Sequence, residues 1–504
     1  MKEKQPVMQL RRVKKYFHIR RRLRLRALND INFVLYEGEK FGVVGESGCG
    51  KSTLGRVMLQ LYPPSGGDCL YYGRSLIELC PAYLKREIKG LLALQRTAKV
   101  YNDRLLAAAK GPPEIYERAR KLNHRALREG SKTVGSLILS ENLPEIQRLF
   151  LRACQAVRRA HKLFSAAARL EARAEKREKA GRDLPGFPRQ KAEVFRASAR
   201  QYAEEAEALR EKAFSFRGKN INPALSPRAL DPEYQAKLDA NYETGISLSK
   251  LTGWEMRSLR SEMQMVFQDP SASLDPRQSV GKAIEEPFKI HARLSPEERK
   301  KKVMALLDRV GLQEEHYYYF PNALSGGQKQ RVCIARAIAT NTRLVVLDES
   351  LSALDVSVQA QILQLLDELS GDGRTYLFIT HDLGVAKYFC DRIMVMYLGC
   401  ECELADARTL FEKPLHPYTR SLLAAVPRPV VRDVDYEVSV LEGEVPNALY
   451  PPAGCPFHTR CDRSFEICKR EKPELREWQS GHFVACHLYG PPEANSPLAE
   501  KTET

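Results

Sequence analysis

The chain has 504 residues, 43% of them hydrophobic, and a formal net charge of +17. This length exceeds what one hydrophobic core usually supports, so we expect two or three domains. No stretch approaches the run of about 18 apolar residues that a spanning helix needs, and the basic segment 1–26 lacks the apolar region of a signal peptide. These features argue against a membrane-spanning or secreted protein and predict a cytosolic location.

Cysteine usage agrees with that location, and the positive charge is unevenly placed. Twelve cysteines in a long chain without a signal are typical of reduced thiols or metal ligands. Residues 81–250 hold 35 Lys/Arg against 20 Asp/Glu, whereas the rest of the chain is nearly balanced. A second basic run, residues 11–26, has nine Lys/Arg and no acid. It is typical of a solvated edge hairpin or of a surface that attracts phosphates.

A strand, a glycine loop and a helix follow one another near the N-terminus. The apolar run 41–44 predicts a buried strand, and the pattern after residue 53 predicts a helix. Glycines let successive backbone N–H groups turn towards a phosphate, Lys51 can reach the β/γ oxygens, and Ser52 can bind Mg²⁺. The predicted nucleotide-binding residues of this phosphate loop are Gly45, Glu46, Ser47, Gly48, Cys49, Gly50, Lys51, Ser52 and Thr53.

Two further motifs carry chemistry that a nucleotide needs. The apolar strand 343–347 leads into Asp348 and Glu349. The first carboxylate can orient Mg²⁺, and the second can polarise an attacking water. Between the phosphate loop and these acids, the segment Ser325, Gly326, Gly327, Gln328 opens a helical pattern, so it can offer N–H groups and a helix dipole to another phosphate. We do not expect it to share the first loop's ATP.

In this order the motifs resemble those of the ABC ATPase family. The resemblance implies a head-to-tail dimer, in which ATP lies between one subunit's phosphate loop and the other's Leu-Ser-Gly-Gly-Gln signature at 324–328. It also implies that Gln268 is the Q-loop glutamine, which senses Mg²⁺ and the membrane subunit, and that His381 contacts the γ-phosphate. Asp355 would belong to the D-loop, and Phe17 or Tyr16 would stack on adenine. Since Glu349 is retained, the resemblance implies a competent catalytic site formed by Glu349, His381 and Gln268.

Narrower motifs resemble the oligopeptide/dipeptide/nickel importer ATPases. They are Phe267–Arg277, Ser352–Gln361 and the Pro-Leu-His-Pro-Tyr-Thr run at 414–419, while 376–383 and 396–399 resemble the second of the two ATPase subunits. The resemblance covers roughly residues 8–77 and 251–490. It implies a peripheral position on the cytoplasmic face of the membrane, with a sister ATPase, two transmembrane permeases and an extracytoplasmic peptide-binding protein as partners. Peptide length, or nickel as cargo, stays open.

The fold that this resemblance implies is α/β. A P-loop ABC ATPase core with an antiparallel β-subdomain and a helical subdomain would occupy residues 1–77 and 251–410, and a small Cys-rich extension residues 411–504. Residues 78–250 depart from the family pattern and form a basic insertion. No nucleic acid is expected as a partner, although DNA-maintenance ABC ATPases also carry inserted arms, so a DNA-binding insertion is the alternative.

Apolar residues recur at spacings of three and four within the insertion, which predicts two helices packed through these stripes. With the Leu184–Pro188 break between them, they predict an antiparallel hairpin over 142–215. The stripes are Ile146, Phe150, Ala153, Val157, Ala160, Phe164 and Ala167, and Phe195, Ala199, Tyr202, Ala206, Leu209 and Ala213.

Four cysteines crowd into the C-terminal segment at Cys455, Cys461, Cys468 and Cys486. The close pairs typical of zinc are missing, while four thiolates can also hold a [4Fe–4S] cluster. From the residues alone, iron–sulfur, Zn²⁺ and reduced thiols stay open. Peptide-importer ATPases that this chain resembles carry the same pattern, and some hold an iron–sulfur cluster there, which favours iron. Such a cluster would stabilise a tail with few large apolar residues.

Overall fold

The computed structural model describes residues 4–20, 23–178, 187–292, 294–425 and 443–489. Contacts divide the chain into two compact units. The sheet unit comprises Met1–Gly73, Ser247–Ser249 and Arg257–Thr504, and the helical unit comprises Arg74–Ile246 and Lys250–Met256. The described residues beyond position 410 thus belong to the same unit as the predicted ATPase core.

The strands are short in the middle of the chain and long at its start. They are β1 (Pro6–Arg20), β2 (Leu23–Tyr36), β3 (Lys40–Val44), β4 (Gly66–Tyr71), β5 (Ile246–Ser247), β6 (Met263–Val266), β7 (Leu344–Asp348), β8 (Thr375–Ile379), β9 (Arg392–Tyr397), β10 (Cys400–Asp406), β11 (Arg476–Gln479) and β12 (His482–Val484).

The α-helices fall into a long-helix group within residues 82–214 and shorter helices elsewhere. They are α1 (Lys51–Met58), α2 (Leu76–Leu79), α3 (Ala82–Ala107), α4 (Pro113–Val134), α5 (Leu143–Glu178), α6 (Phe187–Phe214), α7 (Pro232–Ala240), α8 (Gly253–Leu259), α9 (Pro270–Ser273), α10 (Val280–His291), α11 (Pro296–Arg309), α12 (Gly326–Ile338), α13 (Val356–Ser370), α14 (Leu383–Phe389), α15 (Ala407–Glu412), α16 (Pro417–Ala424) and α17 (Glu466–Arg470).

A mixed sheet in the order β11-β12-β10-β9-β3-β8-β7-β6 organises the sheet unit. Strands β9, β3, β8, β7 and β6 run parallel, whereas β10, β12 and β11 continue the sheet antiparallel. All residues of β7 and β8 are buried, as expected for parallel strands covered on both faces. In a separate antiparallel sheet, β1 lies between β2 and β4.

The described part of the C-terminal extension is built onto this mixed sheet. Strand β12 pairs with β10 through Glu403↔Val484 and Leu404↔Phe483, and β11 pairs with β12. Phe457 is 1% exposed, and its ring centroid lies 5.3 Å from that of Tyr397 and 5.2 Å from that of Tyr418. The extension is therefore stabilised by strand pairing and an aromatic cluster.

In the helical unit, α5 and α6 pack antiparallel. Near the start of α5, Phe150 meets Phe214 of α6 with ring centroids 5.5 Å apart, and near its end Glu171 pairs with Arg196 at 2.7 Å. Residues 184–186 of the predicted Leu184–Pro188 break lie outside the described residues, and α6 begins at Phe187.

The buried seam of α6 differs from the predicted stripe. Its most buried side chains are alanines at a spacing of seven, each at most 1% exposed: Ala192, Ala199, Ala206 and Ala213. Phe195, Tyr202 and Leu209 flank that seam and stay half-buried. Small side chains at the centre of a helix pair let the two backbones approach closely, so the larger residues lie at its edges. None of the helices in the described ranges is both long and apolar enough to span a membrane.

A buried carboxylate attaches the segment around His416 to the sheet. Glu403 of β10 is fully buried, and it accepts hydrogen bonds from the backbone N–H groups of Leu415 (2.8 Å) and His416 (2.9 Å). His482 Nε2 of β12 lies 2.7 Å from the same carboxylate. His416 caps α16, since its Nδ1 accepts from the N–H of Tyr418 at 3.1 Å. Burial lowers the pKa of His416 to about 4, against the opposing effect of Glu403.

The lowered pKa of His416 predicts a loss of stability in mild acid. Between the folded pKa of about 4 and the unfolded value of 6.5, the unfolded chain binds a proton that the folded chain does not, so stability falls as pH decreases through this window. Between pH 7 and pH 5 the loss amounts to about 2 kcal/mol. Urea unfolding at the two pH values measures it.

His416→Asn is the matched variant, because asparagine can still cap α16 but does not titrate in this range. It should reduce the pH-dependent loss by that amount. Tyr418→Phe, which keeps the His416 ring, should retain the full loss. An unchanged pH dependence in His416→Asn would show that this histidine is not the titrating group.

Candidate nucleotide-binding site

The phosphate loop connects β3 to α1, and two of its positions accept only glycine. Gly45 and Gly50 have φ values of 151° and 104°. A Cβ on Gly45 would lie 2.2 Å from the carbonyl oxygen of Met396, and one on Gly50 would lie 2.3 Å from that of Ala27. The loop is thus pressed against the backbone of neighbouring segments, with Ser47 and Gly48 exposed at its tip. This leaves a backbone cradle that can face an anion.

Lys51 stands at the base of this cradle. It is 3% exposed, and its Nζ donates to the carbonyl oxygens of Gly45 (2.8 Å) and Glu46 (3.0 Å). The nearest carboxylate is that of Glu349, whose Oε1 lies 3.7 Å from Nζ. Lys51 therefore crosses the loop and places its positive charge beside Glu349, which directly follows β7.

Asp348 ends β7 as a buried carboxylate. It is fully buried, and neither of its oxygens meets a hydrogen-bond donor at normal geometry within the described ranges. Arg56 Nη2 lies 3.7 Å away. Burial raises the pKa of Asp348, while the nearby Ser52 hydroxyl and Arg56 oppose that rise. A buried, unbonded carboxylate beside Ser52 fits an oxygen-binding cation such as Mg²⁺.

Glu349 is the point at which three motifs meet. Its φ of 45° lies in the left-handed region, and its N–H donates to the Ile379 carbonyl at 2.9 Å. Its Oε2 accepts from Gln268 Nε2 at 3.2 Å and lies 3.6 Å from His381 Nδ1. Glu349 is thereby held among groups from the ends of three other strands.

Sheet register explains this convergence. Gln268 follows β6, Asp348 ends β7 and His381 follows β8. The pairs Val266↔Leu347, Asp348↔Ile379 and Val43↔Ile379 align the carboxyl ends of β6, β7, β8 and β3. Parallel strands place their carboxyl-terminal loops at one edge, which is where α/β sheets bind ligands.

Two half-buried aromatic side chains, Phe17 and Tyr62, meet close to α1. Phe17 is half-buried, and its ring meets Tyr62 edge-on at 5.5 Å, with Lys15 Nζ 4.9 Å from its centroid. Tyr16 donates its hydroxyl to Asn29 Oδ1 at 3.0 Å. Of the two residues predicted to stack on adenine, Tyr16 is thus engaged through its hydroxyl and Phe17 through its ring. Tyr62 was not among the predicted site residues, although its position shortly after the phosphate-loop helix α1 could have indicated that it lies near the loop.

The signature segment caps α12 and does not join this cluster. Ser325 and Gln328 form a capping box, in which Ser325 N–H donates to Gln328 Oε1 at 2.9 Å. A Cβ on Gly327 would lie 2.6 Å from Val358 Cγ1 of α13. In the described residues, no hydrogen bond of Ser325 or Gln328 reaches the phosphate loop. Asp355 is exposed at the N-terminus of α13, and its side chain does not cap that helix.

The C-terminal part of the sheet unit contacts the phosphate loop, which was not predicted. Arg460 binds the carboxylate of Glu46, with Nη1 2.9 Å from Oε2. The backbone N–H of Glu46 donates to the Tyr418 hydroxyl at 2.9 Å. Arg460 and Glu46 are separated by 414 positions, so no local pattern could have paired them.

The four C-terminal cysteines do not form a metal-binding group in the structure. Cys455 donates its N–H to the Cys468 carbonyl at 2.8 Å, and both side chains are buried, whereas Cys461 and Cys486 are half-buried. Burial raises the pKa of Cys455 to about 12. No three His, Cys, Asp or Glu side chains in the described ranges are grouped closely enough to hold one metal ion. The predicted iron–sulfur site is therefore not supported by this arrangement.

Two family models match the chain. The ABC transporter model matches residues 28–203 and 236–352, and the model of the oligopeptide/dipeptide transporter C-terminal region matches residues 402–468. Among solved structures, the chain is similar to the dimeric post-hydrolysis state of the ATP-binding cassette MJ0796 bound to ADP and Pi. The TM-score is 0.43, with 19% identity, covering 80% of this chain and 99% of that one.

Several curated proteins are similar in sequence. Oligopeptide transport ATP-binding protein AppF of Bacillus subtilis is 48% identical over 248 residues, which is 49% of this chain and 75% of that protein. Di/tripeptide transport ATP-binding protein DppF of Pseudomonas aeruginosa is 47% identical, covering 46% of this chain and 72% of that protein. Dipeptide transport ATP-binding protein DppF of Escherichia coli is 43% identical, covering 49% of this chain and 73% of that protein.

The ABC transporter model confirms the predicted α/β ABC ATPase fold, and the helical unit is the additional region. The chain belongs to the ABC transporter family of ATP-binding proteins, in the branch that carries the oligopeptide/dipeptide transporter C-terminal region.

Proposed function

We propose that this chain hydrolyses ATP to power import of oligopeptides or dipeptides, as the second of two ATPase subunits. The observation that carries the proposal is the convergence of Lys51, Gln268 and His381 on Glu349, beside the buried Asp348. The peptide class is inferred from the matched C-terminal region and from relatives named for peptide transport. That same match sets aside the alternative of a DNA-maintenance ATPase.

ATP would bind along the phosphate loop. Lys51 would exchange its bonds to the loop carbonyls for the β/γ oxygens of ATP, which supply stronger, charged acceptors. Ser52, Asp348 and Gln268 would hold Mg²⁺, which neutralises charge on the phosphates when bound. The half-buried rings of Phe17 and Tyr16 would provide the aromatic surface for adenine.

Glu349 would act as the general base. A carboxylate beside the γ-phosphate can accept a proton as a water attacks phosphorus and ADP departs. Gln268 donates to that carboxylate at 3.2 Å and His381 Nδ1 lies 3.6 Å from it, so both groups already flank it before nucleotide arrives. His381 is 57% exposed, so it remains available to a phosphate oxygen.

Each ATP site would be shared between two subunits. Ser325, Gly326, Gly327 and Gln328 and the exposed Asp355 lie apart from the cluster around Glu349, which leaves them available to a facing subunit. A sister ATPase would thus supply its signature to this chain's Lys51 and receive this chain's signature in return. Two permeases and an extracytoplasmic peptide-binding protein would complete the importer at the cytoplasmic face of the membrane.

We further propose an iron–sulfur cluster at the four C-terminal cysteines. Support comes from their shared neighbourhood: burial raises the pKa of Cys486 to about 12, and the nearby Cys455, Cys461 and Cys468 add to that rise. Mutual repulsion of this kind is what a bound cation relieves. Binding requires the thiolates to draw closer together than they are in the structure.

Glu349→Gln should reduce ATP turnover by about 100-fold or more, because the amide cannot accept the proton. ATP affinity should change by no more than about threefold, since the amide keeps the shape of the side chain. Steady-state hydrolysis by the assembled transporter and nucleotide titration measure the two quantities. Glu368→Gln, at an exposed position of α13, is the matched control. Turnover that survives in Glu349→Gln would remove Glu349 from the role of base.

Cells that lack this chain should lose uptake of labelled di- and oligopeptides, because the importer would have no second ATPase. Uptake should return with the wild-type chain and not with Glu349→Gln. Uptake of a labelled free amino acid serves as the control for general energy supply. Normal peptide uptake combined with lost nickel uptake would contradict the proposed cargo.

Anaerobically purified full-length chain should contain about four irons per molecule and show broad visible absorption. Cys461→Ser should lose both, because it removes one ligand. Cys390→Ser, at a buried cysteine that directly follows α14, should retain them. Wild-type protein with less than one iron per chain would refute the cluster.

A further inference from the structure

The phosphate loop residue Glu46 is held by the C-terminal part of the chain through both its side chain and its backbone. Arg460 Nη1 donates to both carboxylate oxygens at 3.2 and 2.9 Å, and Nη2 donates to Oε1 at 3.2 Å. The Glu46 N–H donates to the Tyr418 hydroxyl at 2.9 Å. A forked pair of this kind fixes orientation as well as distance.

Arg460 is itself fixed by buried surroundings. Its side chain is 6% exposed, Nη1 also donates to the Tyr397 hydroxyl at 3.4 Å, and its guanidinium carbon lies 5.9 Å from the centre of the Tyr397 ring. Its backbone N–H donates to the carbonyl of Phe457, the 1%-exposed centre of the aromatic cluster. Burial opposes the charge, but the bonds to Glu46 and Tyr397 raise the pKa of Arg460, so it stays cationic.

The remaining polar group of Glu46 contacts Lys51, the predicted phosphate-binding lysine. Its carbonyl oxygen accepts from Lys51 Nζ at 3.0 Å and from the Cys49 N–H at 3.3 Å. The amide, carboxylate and carbonyl of one residue are thus bound by Tyr418, Arg460 and Lys51. A displacement of Glu46 must therefore change the geometry of the loop that surrounds a phosphate.

Charge gives the pair a second role. A carboxylate in a loop that receives a triphosphate repels it, and the repulsion is strong where water is excluded. The guanidinium of Arg460 cancels that charge locally and draws the carboxylate towards Tyr397.

We propose that Arg460 is a positioning residue for ATP: through Glu46 it holds the phosphate loop in its binding geometry and offsets the loop's negative charge. The C-terminal extension thereby controls the nucleotide affinity of this chain. This inference rests on ATP binding at the phosphate loop, as proposed above.

The test is a titration of full-length chain with a fluorescent ATP analogue and Mg²⁺, alongside the melting temperature without nucleotide. Arg460→Met should weaken binding about tenfold, the effect of losing one charge-assisted pair. Arg460→Lys, which keeps the charge but loses the fork, should fall between wild type and Arg460→Met. If Arg460→Met does not fold, Arg460→Lys tests the proposal by itself and should bind the analogue more weakly than wild type. Arg463→Met, at an exposed arginine of the same segment, should bind as wild type.

A double-mutant cycle identifies the route. Glu46→Gln loses the forked pair but also the charge that repels ATP, so it should weaken binding less than Arg460→Met, and the double variant should bind no more weakly than Arg460→Met alone. Additive effects would show that Arg460 does not act through Glu46. If Arg460→Met has a lower melting temperature but wild-type affinity for the analogue, the Arg460–Glu46 pair has only a structural role. Both outcomes overturn the proposal.

Lys51→Ala separates this inference from the proposed function. It removes the charge that faces the phosphates, so binding should be lost. If Lys51→Ala binds as wild type, the proposed ATP site is wrong. If Lys51→Ala abolishes binding but Arg460→Met does not weaken it, only the positioning role fails.

Discussion

The parallel alignment of β3, β8, β7 and β6 is the constraint on which the site depends. Each strand contributes groups at or just beyond its carboxyl end: the phosphate loop, His381, the Asp348–Glu349 pair and Gln268. These groups lie far apart in sequence, but the backbone hydrogen bonds of the sheet fix their positions relative to one another. The 3.2 Å contact between Gln268 and Glu349 spans 81 residues of chain and is a direct result of that register.

Charges at this edge are balanced in pairs. Lys51 lies 3.7 Å from Glu349, and Arg56 lies 3.7 Å from Asp348. Neither contact is as short as a direct hydrogen bond, and neither oxygen of Asp348 meets a donor at normal hydrogen-bond geometry within the described ranges. Burying these charged side chains costs folding free energy. Because their contacts are long, they can exchange them for contacts with a nucleotide and a cation. Its polar groups are thereby suited to binding rather than to stabilising the fold.

The C-terminal extension is continuous with the ATPase sheet. Glu403 is bound by backbone groups of 415–416 and by His482, and Phe457 fills a pocket between Tyr397 and Tyr418. Because the same aromatic cluster orients Arg460 towards Glu46, packing of the extension and geometry of the phosphate loop are physically linked. Under the positioning role proposed for Arg460, a change in the extension would be transmitted to the phosphate loop through the contacts of Arg460 and Tyr418 with Glu46.

The sequence by itself determined the motifs whose chemistry is local. The glycine loop between the strand 41–44 and a helix, the two acids after the apolar strand 343–347, and Ser325 ahead of a helical pattern could all be recognised, because each signal involves only a few neighbouring residues. Only the tertiary structure decided which distant groups meet. It assigned Arg460 and Tyr418 to Glu46 and Tyr62 to Phe17, made alanines the buried seam of α6, and left the four cysteines without a metal-binding arrangement. These outcomes depend on packing and sheet register across hundreds of residues, which spacing along the chain does not encode.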